Sequence, residues 1–210
     1  MKEGDLRILG RSTSINVRKV LWAADLIGIA YENEPWGLPV RDPNVPEFLA
    51  QNPNGQVPVI TDDGFTLWES HAILRYLAEK AGSELLPGKG AERALVDQWM
   101  SWQSTELNFA WSYVVRAKLR NLPPDPDPAR IAESIASWTR MMQILEAQLA
   151  AGPGYVANGR FSLADIVIGL SSHRWMRVPF DRPKLPAVEA HLLQMQSRPA
   201  GQAYLGATTP

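Results

Sequence analysis

The sequence predicts an α/β domain followed by an all-α domain. Three observations carry that expectation. Across residues 1–82, short β-type runs alternate with helical patterns. Residues 83–91, SELLPGKGA, read as a linker. In 92–210 only helical periodicity recurs. A chain of 210 residues is long enough for two such domains, each with a serviceable core.

The elements follow in order. Leu6–Leu9 is a short β-type run. The hydroxyl-rich Ser12-Thr13-Ser14 precedes a helix whose Val17, Val20, Leu21 and Ala24 share a face, with Gly28 to end it. Tyr31 to Trp36 alternates weakly as a second strand. Gly37, Pro39, Pro43 and Pro46 mark a loop, Glu47 to Gln51 a brief helix, and Asn52-Pro53-Asn54-Gly55 a turn. Val57-Pro58-Val59-Ile60 reads as a strand that begins with a proline. Asp63-Gly64 turns it into a returning strand, Phe65 to Trp68. Glu69 to Ala81 closes the domain as a helix ending at Gly82. This β-α-β-loop-β-β-α order implies a mixed sheet, its first two strands parallel and its hairpin antiparallel. Beyond the linker, helices are expected over 92–120, 128–151, 163–176 and 186–197. Prolines 123, 124, 126 and 128 separate the first from the second.

Composition narrows the chemistry. With 21 Lys and Arg against 22 Asp and Glu, the net charge is −1. That balance lacks the basic footprint of a nucleic-acid binder. No apolar run approaches a membrane span, and MKEGDLRILG lacks the apolar stretch of a secretory signal, so a cytoplasmic protein is expected. The cysteine count is zero. Disulfides, thiolate zinc sites, iron–sulfur clusters and a protein-thiol nucleophile are thereby removed. Any sulfur chemistry needs sulfur from a ligand. His71, His173 and His191 lack zinc-motif spacing, so no metal is expected.

Four short stretches stand out. Ser12-Thr13-Ser14-Ile15-Asn16 precedes the first helix, where hydroxyls cap free N–H groups. Asn52-Pro53-Asn54-Gly55-Gln56-Val57-Pro58 joins a turn to an edge-type strand. Glu69-Ser70 opens the third helix, where an acid opposes the positive helix end and a serine caps. Ser162-Leu163-Ala164-Asp165 fits a capping box. In this order, and over nearly the whole chain, the four resemble the cytosolic glutathione transferase family, with a serine-type, theta- or bacterial-like first helix.

The resemblance implies a thioredoxin-like N-terminal domain, an all-helical C-terminal domain, and glutathione as cosubstrate without a metal. It implies a cis Val57-Pro58 bond, with the Val57 backbone pairing to the tripeptide as an added strand. Glu69 and Ser70 would hold the γ-glutamyl ammonium and carboxylate, with Gln56 reaching the same arm. It sets Ser14 at the catalytic hydroxyl, with Asn16 a second donor and Ser12 an alternative. Lowering a thiol pKa by about two units requires roughly 2.7 kcal/mol. One charge-assisted hydrogen bond of about 1.5–3 kcal/mol plus a helix-end contribution of up to about 1 kcal/mol is sufficient. The Ser162–Asp165 box is structural in the family.

The acceptor electrophile needs its own site. On the helix 92–120, Ser104, Asn108, Trp111 and Val115 share a face by helical spacing. That mixed face suits an acceptor pocket; a core face or subunit contact is the competing reading. Arg11 and Arg41 are candidates for the glycyl carboxylate, with surface roles favoured, and His71 is expected as a partly exposed helix residue. The leading expectation is a homodimeric glutathione transferase acting on a small electrophile. A glutathione-dependent disulfide reductase or isomerase, and a non-catalytic binding protein on the same fold, are the alternatives.

Overall fold

Apolar residues of both sheet faces and three helices make the first core. The computed structural model describes residues 6–206. They form two units: 6–88 with 199–206, and 89–198. In the first, β1 (Leu6–Leu9), β2 (Glu32–Glu34), β3 (Val59–Asp62) and β4 (Phe65–Trp68) form one sheet in the order β2-β1-β3-β4. β1 and β2 are parallel; β1–β3 and β3–β4 are antiparallel. Strand alternation divides the core by face. Leu6, Ile8 and Ile60 pack with Val17, Val20, Leu21 and Ala24 of α1 (Ile15–Ile27) and with Ile73 and Leu77 of α3 (Ser70–Lys80). Leu9 and Val59 point the other way, onto Trp36 and onto Phe48 of α2 (Pro46–Leu49). The result is α1 and α3 on one side of the sheet and α2 on the other, as expected of a thioredoxin-like layer arrangement.

The turns behave as their residues demand. Gly28 ends α1 in the left-handed conformation at φ 76°, with its N–H on the carbonyl of Asp25. Asp63 and Gly64 both take positive φ between β3 and β4, the mirror-image turn that matches strand twist.

The second unit holds α4 (Gly90–Trp102), α5 (Asn108–Arg120), α6 (Pro128–Ala150), α7 (Leu163–Arg177) and α8 (Pro186–Gln196). Trp138 anchors its core, meeting the rings of Trp111, Trp175 and Phe180 at 5.4, 5.0 and 5.6 Å between centres. Ser162 and Asp165 form the expected reciprocal capping box at the start of α7. Among the described residues, no helix is long and apolar enough to cross a membrane.

Three features depart from expectation. The helix expected over 92–120 is interrupted by a π-helical turn at Gln103–Leu107. Ser104 and Thr105 both donate their hydroxyls to the Ser101 carbonyl, at 2.9 and 3.0 Å, which disturbs the regular ladder there. Residues 83–88, read as linker, sit with the first unit, where Leu86 is buried. So do residues 199–206, expected in the helical domain, which carry an additional short helix, α9 (Gly201–Leu205). The Tyr204 ring stacks on Trp22 of α1 at 6.1 Å, its hydroxyl donates to Asp25 at 2.6 Å, and its carbonyl accepts from Arg18 at 3.0 Å.

Candidate functional site

Two helix beginnings and one loop converge on a small cleft of about 50 Å³, lined by Asn16, Asn52, Gln56, Val57, Pro58, Glu69 and Ser70. Five of these seven are residues expected from the sequence: Asn16, Gln56, Val57, Glu69 and Ser70. They arrive from three stretches far apart along the chain, and only the sheet brings them together.

Each wall has a local cause. Asn16 stands in the first turn of α1 and is exposed. Ser14 is that helix's N-cap, with extended φ −78° and ψ 128°. Its hydroxyl makes no capping bond, and its backbone serves instead, donating N–H to the Arg11 carbonyl and accepting from Arg18 N–H. The capping role that competes with a chemical role for Ser14 is therefore not exercised. Ser14 itself does not line the cleft; Asn16, two residues on, does. Thr13 accepts from the Arg11 guanidinium, and Ser12 is exposed.

The second wall is the loop before β3. The Val57-Pro58 peptide is cis, as expected. Asn52, a turn residue that opens one of the four sequence landmarks, is the buried hub of this loop. Its Nδ2 donates to the Gln56 carbonyl at 2.7 Å, and its Oδ1 accepts from the Asn54 backbone N–H at 3.0 Å and the Asn54 amide at 2.9 Å. The Asn-Pro-Asn-Gly cluster was the only signal pointing to it. Gly55, at φ 59°, completes the turn with its N–H on the Asn52 carbonyl. A Cβ there would stand 2.7 Å from Asn44 Oδ1, so the loop needs glycine twice over.

The third wall is the start of α3. Glu69 caps it at φ 74° and ψ 110°, a strained conformation for a non-glycine residue. The Glu69 carbonyl accepts the Ile73 N–H at 3.0 Å, while its carboxylate makes no capping bond and stands exposed. Ser70 is buried at 6% exposure as the first helical residue. A helix N-terminus, a serine and a neighbouring carboxylate provide complementary handles for an α-carboxylate and an α-ammonium. Behind this wall the His71 ring lies 3.1 Å from the Lys19 ammonium.

Other expectations are corrected. Trp111 and Val115 are 2% and 4% exposed and lie in the core of the helical unit, so they do not form an open acceptor face. Asn108 is exposed, but the π-helical turn adds a residue to the winding ahead of it and removes Ser104 from the assumed face. The α5 face that does border a cavity carries Phe109, Tyr113 and Arg116. Arg41, by contrast, keeps the surface role favoured from the sequence: it is engaged by Glu34 and Glu47 and lies 3.5 Å over the Trp36 ring.

Comparison with known proteins follows the same outline. The profile of the glutathione S-transferase N-terminal domain family matches residues 5–79. Glutathione S-transferase GstB of Escherichia coli K12 is 31% identical over 198 residues, covering 93% of this chain and 95% of that protein. Disulfide-bond oxidoreductase YfcG of the same organism is 34% identical over 170 residues, 77% of each chain. Among solved structures, the theta class glutathione S-transferase of the citrus canker pathogen Xanthomonas axonopodis pv. citri, with glutathione bound, superimposes with a TM-score of 0.91 at 35% identity, covering 98% of this chain and 99% of that one.

Proposed function

The chain belongs to the glutathione S-transferase family, and from that premise we propose that it is a cytoplasmic, homodimeric transferase that ionises the thiol of bound glutathione and delivers the sulfur to a small electrophile. The convergence of Asn16, Gln56, Val57, Glu69 and Ser70 on one cleft carries the reading. The γ-glutamyl carboxylate meets the start of α3 and the Ser70 hydroxyl, and its ammonium meets Glu69. The Val57 backbone pairs with the extended tripeptide. The sulfur then lies toward the start of α1, where the Ser14 hydroxyl, the Asn16 amide and the helix end all favour the anion.

In the transfer step the thiol proton leaves to solvent. The thiolate attacks the electrophilic carbon, the carbon–sulfur bond forms, and the leaving group departs with its electron pair. Proximity and thiol ionisation supply the acceleration, with no general base. The electrophile is not assigned to Asn108, Trp111 and Val115, because two of the three are core residues.

A second reading has its own support: Asn16, rather than Ser14, lines the cleft, and a 34%-identical relative is named a disulfide-bond oxidoreductase. There two glutathiones reduce a disulfide to two thiols and become glutathione disulfide. Conjugation of an activated aromatic halide and reduction of a small disulfide, assayed side by side, separate the two. In Ser14→Ala the thiolate absorbance of the glutathione complex is expected to fall about tenfold or more, with modest change in glutathione affinity. An unchanged absorbance shifts the role to Asn16 or Ser12. Absence of calorimetric heat with millimolar glutathione in the native protein removes the proposal altogether.

A further inference from the structure

The starts of α1 and α3 form two walls of the cleft, and a side-chain pair joins them behind it. Lys19 of α1 is buried at 3% exposure, and its ammonium lies 3.1 Å from Nε2 of the half-buried His71. Lys19 stands about one turn beyond Asn16 on the same side of α1. His71 follows Ser70 directly in the first turn of α3. Asn16 and Ser70 both line the cleft. The pair therefore ties the helix start assigned to the sulfur to the helix start assigned to the γ-glutamyl arm.

The chemistry of the pair fixes the state of the ring. An ammonium has donors and no acceptor, so His71 Nε2 must offer a lone pair. The imidazole is then neutral, with its hydrogen on Nδ1. A second proton would set two like charges at hydrogen-bond distance. Lys19 is the more deeply buried of the two, so the ring is the member that gives way. Of the other charged groups here, Arg75 of α3 donates to the His71 carbonyl at 3.1 Å, and the Glu69 carboxylate, two residues ahead of the ring, stands exposed. Arg18 of α1 donates to the Tyr204 carbonyl, and the Tyr204 hydroxyl of α9 donates to Asp25. The sheet face under both helices is apolar, with Leu6, Ile8 and Ile60.

The start of α3 needs such a tie. Glu69 holds φ 74°, a conformation that persists in a non-glycine residue only where its surroundings impose it. The backbone N–H groups of Ser70, His71 and Ala72 come before the bond from Ile73 N–H to the Glu69 carbonyl, and they are the donors that a carboxylate at this helix end would meet. His71 thus contributes a donor with its backbone and an anchor with its ring.

We propose that His71 is a positioning residue for glutathione: as a neutral imidazole bonded to Lys19 it holds the start of α3 in binding geometry, and a proton on the ring releases it. This role rests on the glutathione assignment proposed above. The tie is intact at about pH 7.5, and affinity falls as the ring takes a proton in acid.

S-methylglutathione, whose blocked sulfur cannot ionise, is the probe. It is titrated calorimetrically into the full chain at about pH 7.5 and about pH 5, at a temperature where circular dichroism shows the protein folded. The native protein is expected to lose about fivefold or more in affinity across that interval. In His71→Gln the amide oxygen still accepts from Lys19 but takes no proton, so binding is retained at the higher pH and falls by about twofold or less at the lower. Glu69 and the ligand carboxylates are common to both proteins, so the difference between the two profiles belongs to the ring. His71→Leu, which removes the acceptor, binds about fivefold or more weakly at both pH values. Parallel profiles for the native protein and His71→Gln overturn the inference. So does a nitrogen NMR signal, assigned to His71 by its loss in His71→Gln, that places the hydrogen on Nε2 at about pH 7.5. Both results stand even if His71→Leu misfolds. Native protein that binds no S-methylglutathione at about pH 7.5 removes the glutathione assignment itself, and this role with it.

Discussion

Asp165→Ala tests how far the helical unit depends on one carboxylate. Asp165 is fully buried and accepts four hydrogen bonds. Its Oδ2 takes the Ser162 N–H at 2.9 Å and the Ser162 hydroxyl at 3.1 Å. Its Oδ1 takes the Val156 N–H at 2.9 Å and faces His191 Nε2 at 3.1 Å. Ser162, Val156 and His191 are themselves buried, so water does not readily replace the lost acceptor. Each buried donor left alone costs about 1–3 kcal/mol, and breaking a buried charged network by removing one member typically costs about 3–5 kcal/mol. For a chain of this length each kcal/mol lowers the melting temperature by about 2–4 °C, so a fall of about 6–20 °C is expected in a thermal scan. Asp165→Asn keeps one acceptor oxygen but turns an N–H₂ onto existing donors, and falls between the two. Glutathione affinity, measured below the new transition, stays unchanged. A melting temperature within about 2 °C of the native protein would refute the assignment of this carboxylate as the anchor of α7.

Asn52→Ala removes the hub that holds Gln56 and Val57. It is expected to raise the glutathione Kd by about five- to thirtyfold, the equivalent of about 1–2 kcal/mol of lost loop order, with little change in the bound thiol's acidity; unaltered titration calorimetry counts against the hub. Asp62 is raised by burial, but hydrogen bonds from Lys80 at 2.6 Å and Tyr76 at 2.7 Å outweigh that and hold its carboxyl below the ordinary range. With the folded pKa depressed, the contribution is present above the unfolded value near 4 and is lost as pH falls through the folded one. Lys80→Met therefore moves the acid-unfolding midpoint upward, and coincident acid titrations followed by circular dichroism would contradict this. The Tyr204 hydroxyl is pushed far up by burial and by its bond to Asp25, so it stays protonated as a donor at any working pH. Tyr204→Ala should lower stability by about 1–2 kcal/mol through the lost Trp22 stack and Asp25 bond, read from urea unfolding with Trp fluorescence; an unchanged urea midpoint would show that α9 does not brace α1.

Much of the candidate site was legible because its residues sit where local chemistry is strongest. Glu69 and Ser70 open a helix, Ser14 and Asn16 open another, and Gln56-Val57-Pro58 follows a turn that Asn and Gly announce. Asn52 was missed because its role lies in what it binds four residues on, which a turn signal does not reveal. The acceptor face rested on the helical spacing of Asn108, Trp111 and Val115, which does not tell a pocket wall from a core face; Trp111 and Val115 turn inward, and the π-helical turn at Gln103–Leu107 sets only Ser104 off their register.

What the amino-acid order determined by itself was the succession of strands and helices, the hairpin at Asp63-Gly64, the capping box at Ser162–Asp165 and the family landmarks. These depend on backbone conformations and hydrogen bonds within a few residues of one another. Only the tertiary structure decided that Asn16, Gln56 and Ser70 share one cleft, that Trp111 turns inward onto Trp138, and that Tyr204 returns to α1. Those contacts join positions up to 186 residues apart, as Arg18 with Tyr204, and side-chain burial across the folded core selects them where local periodicity is silent.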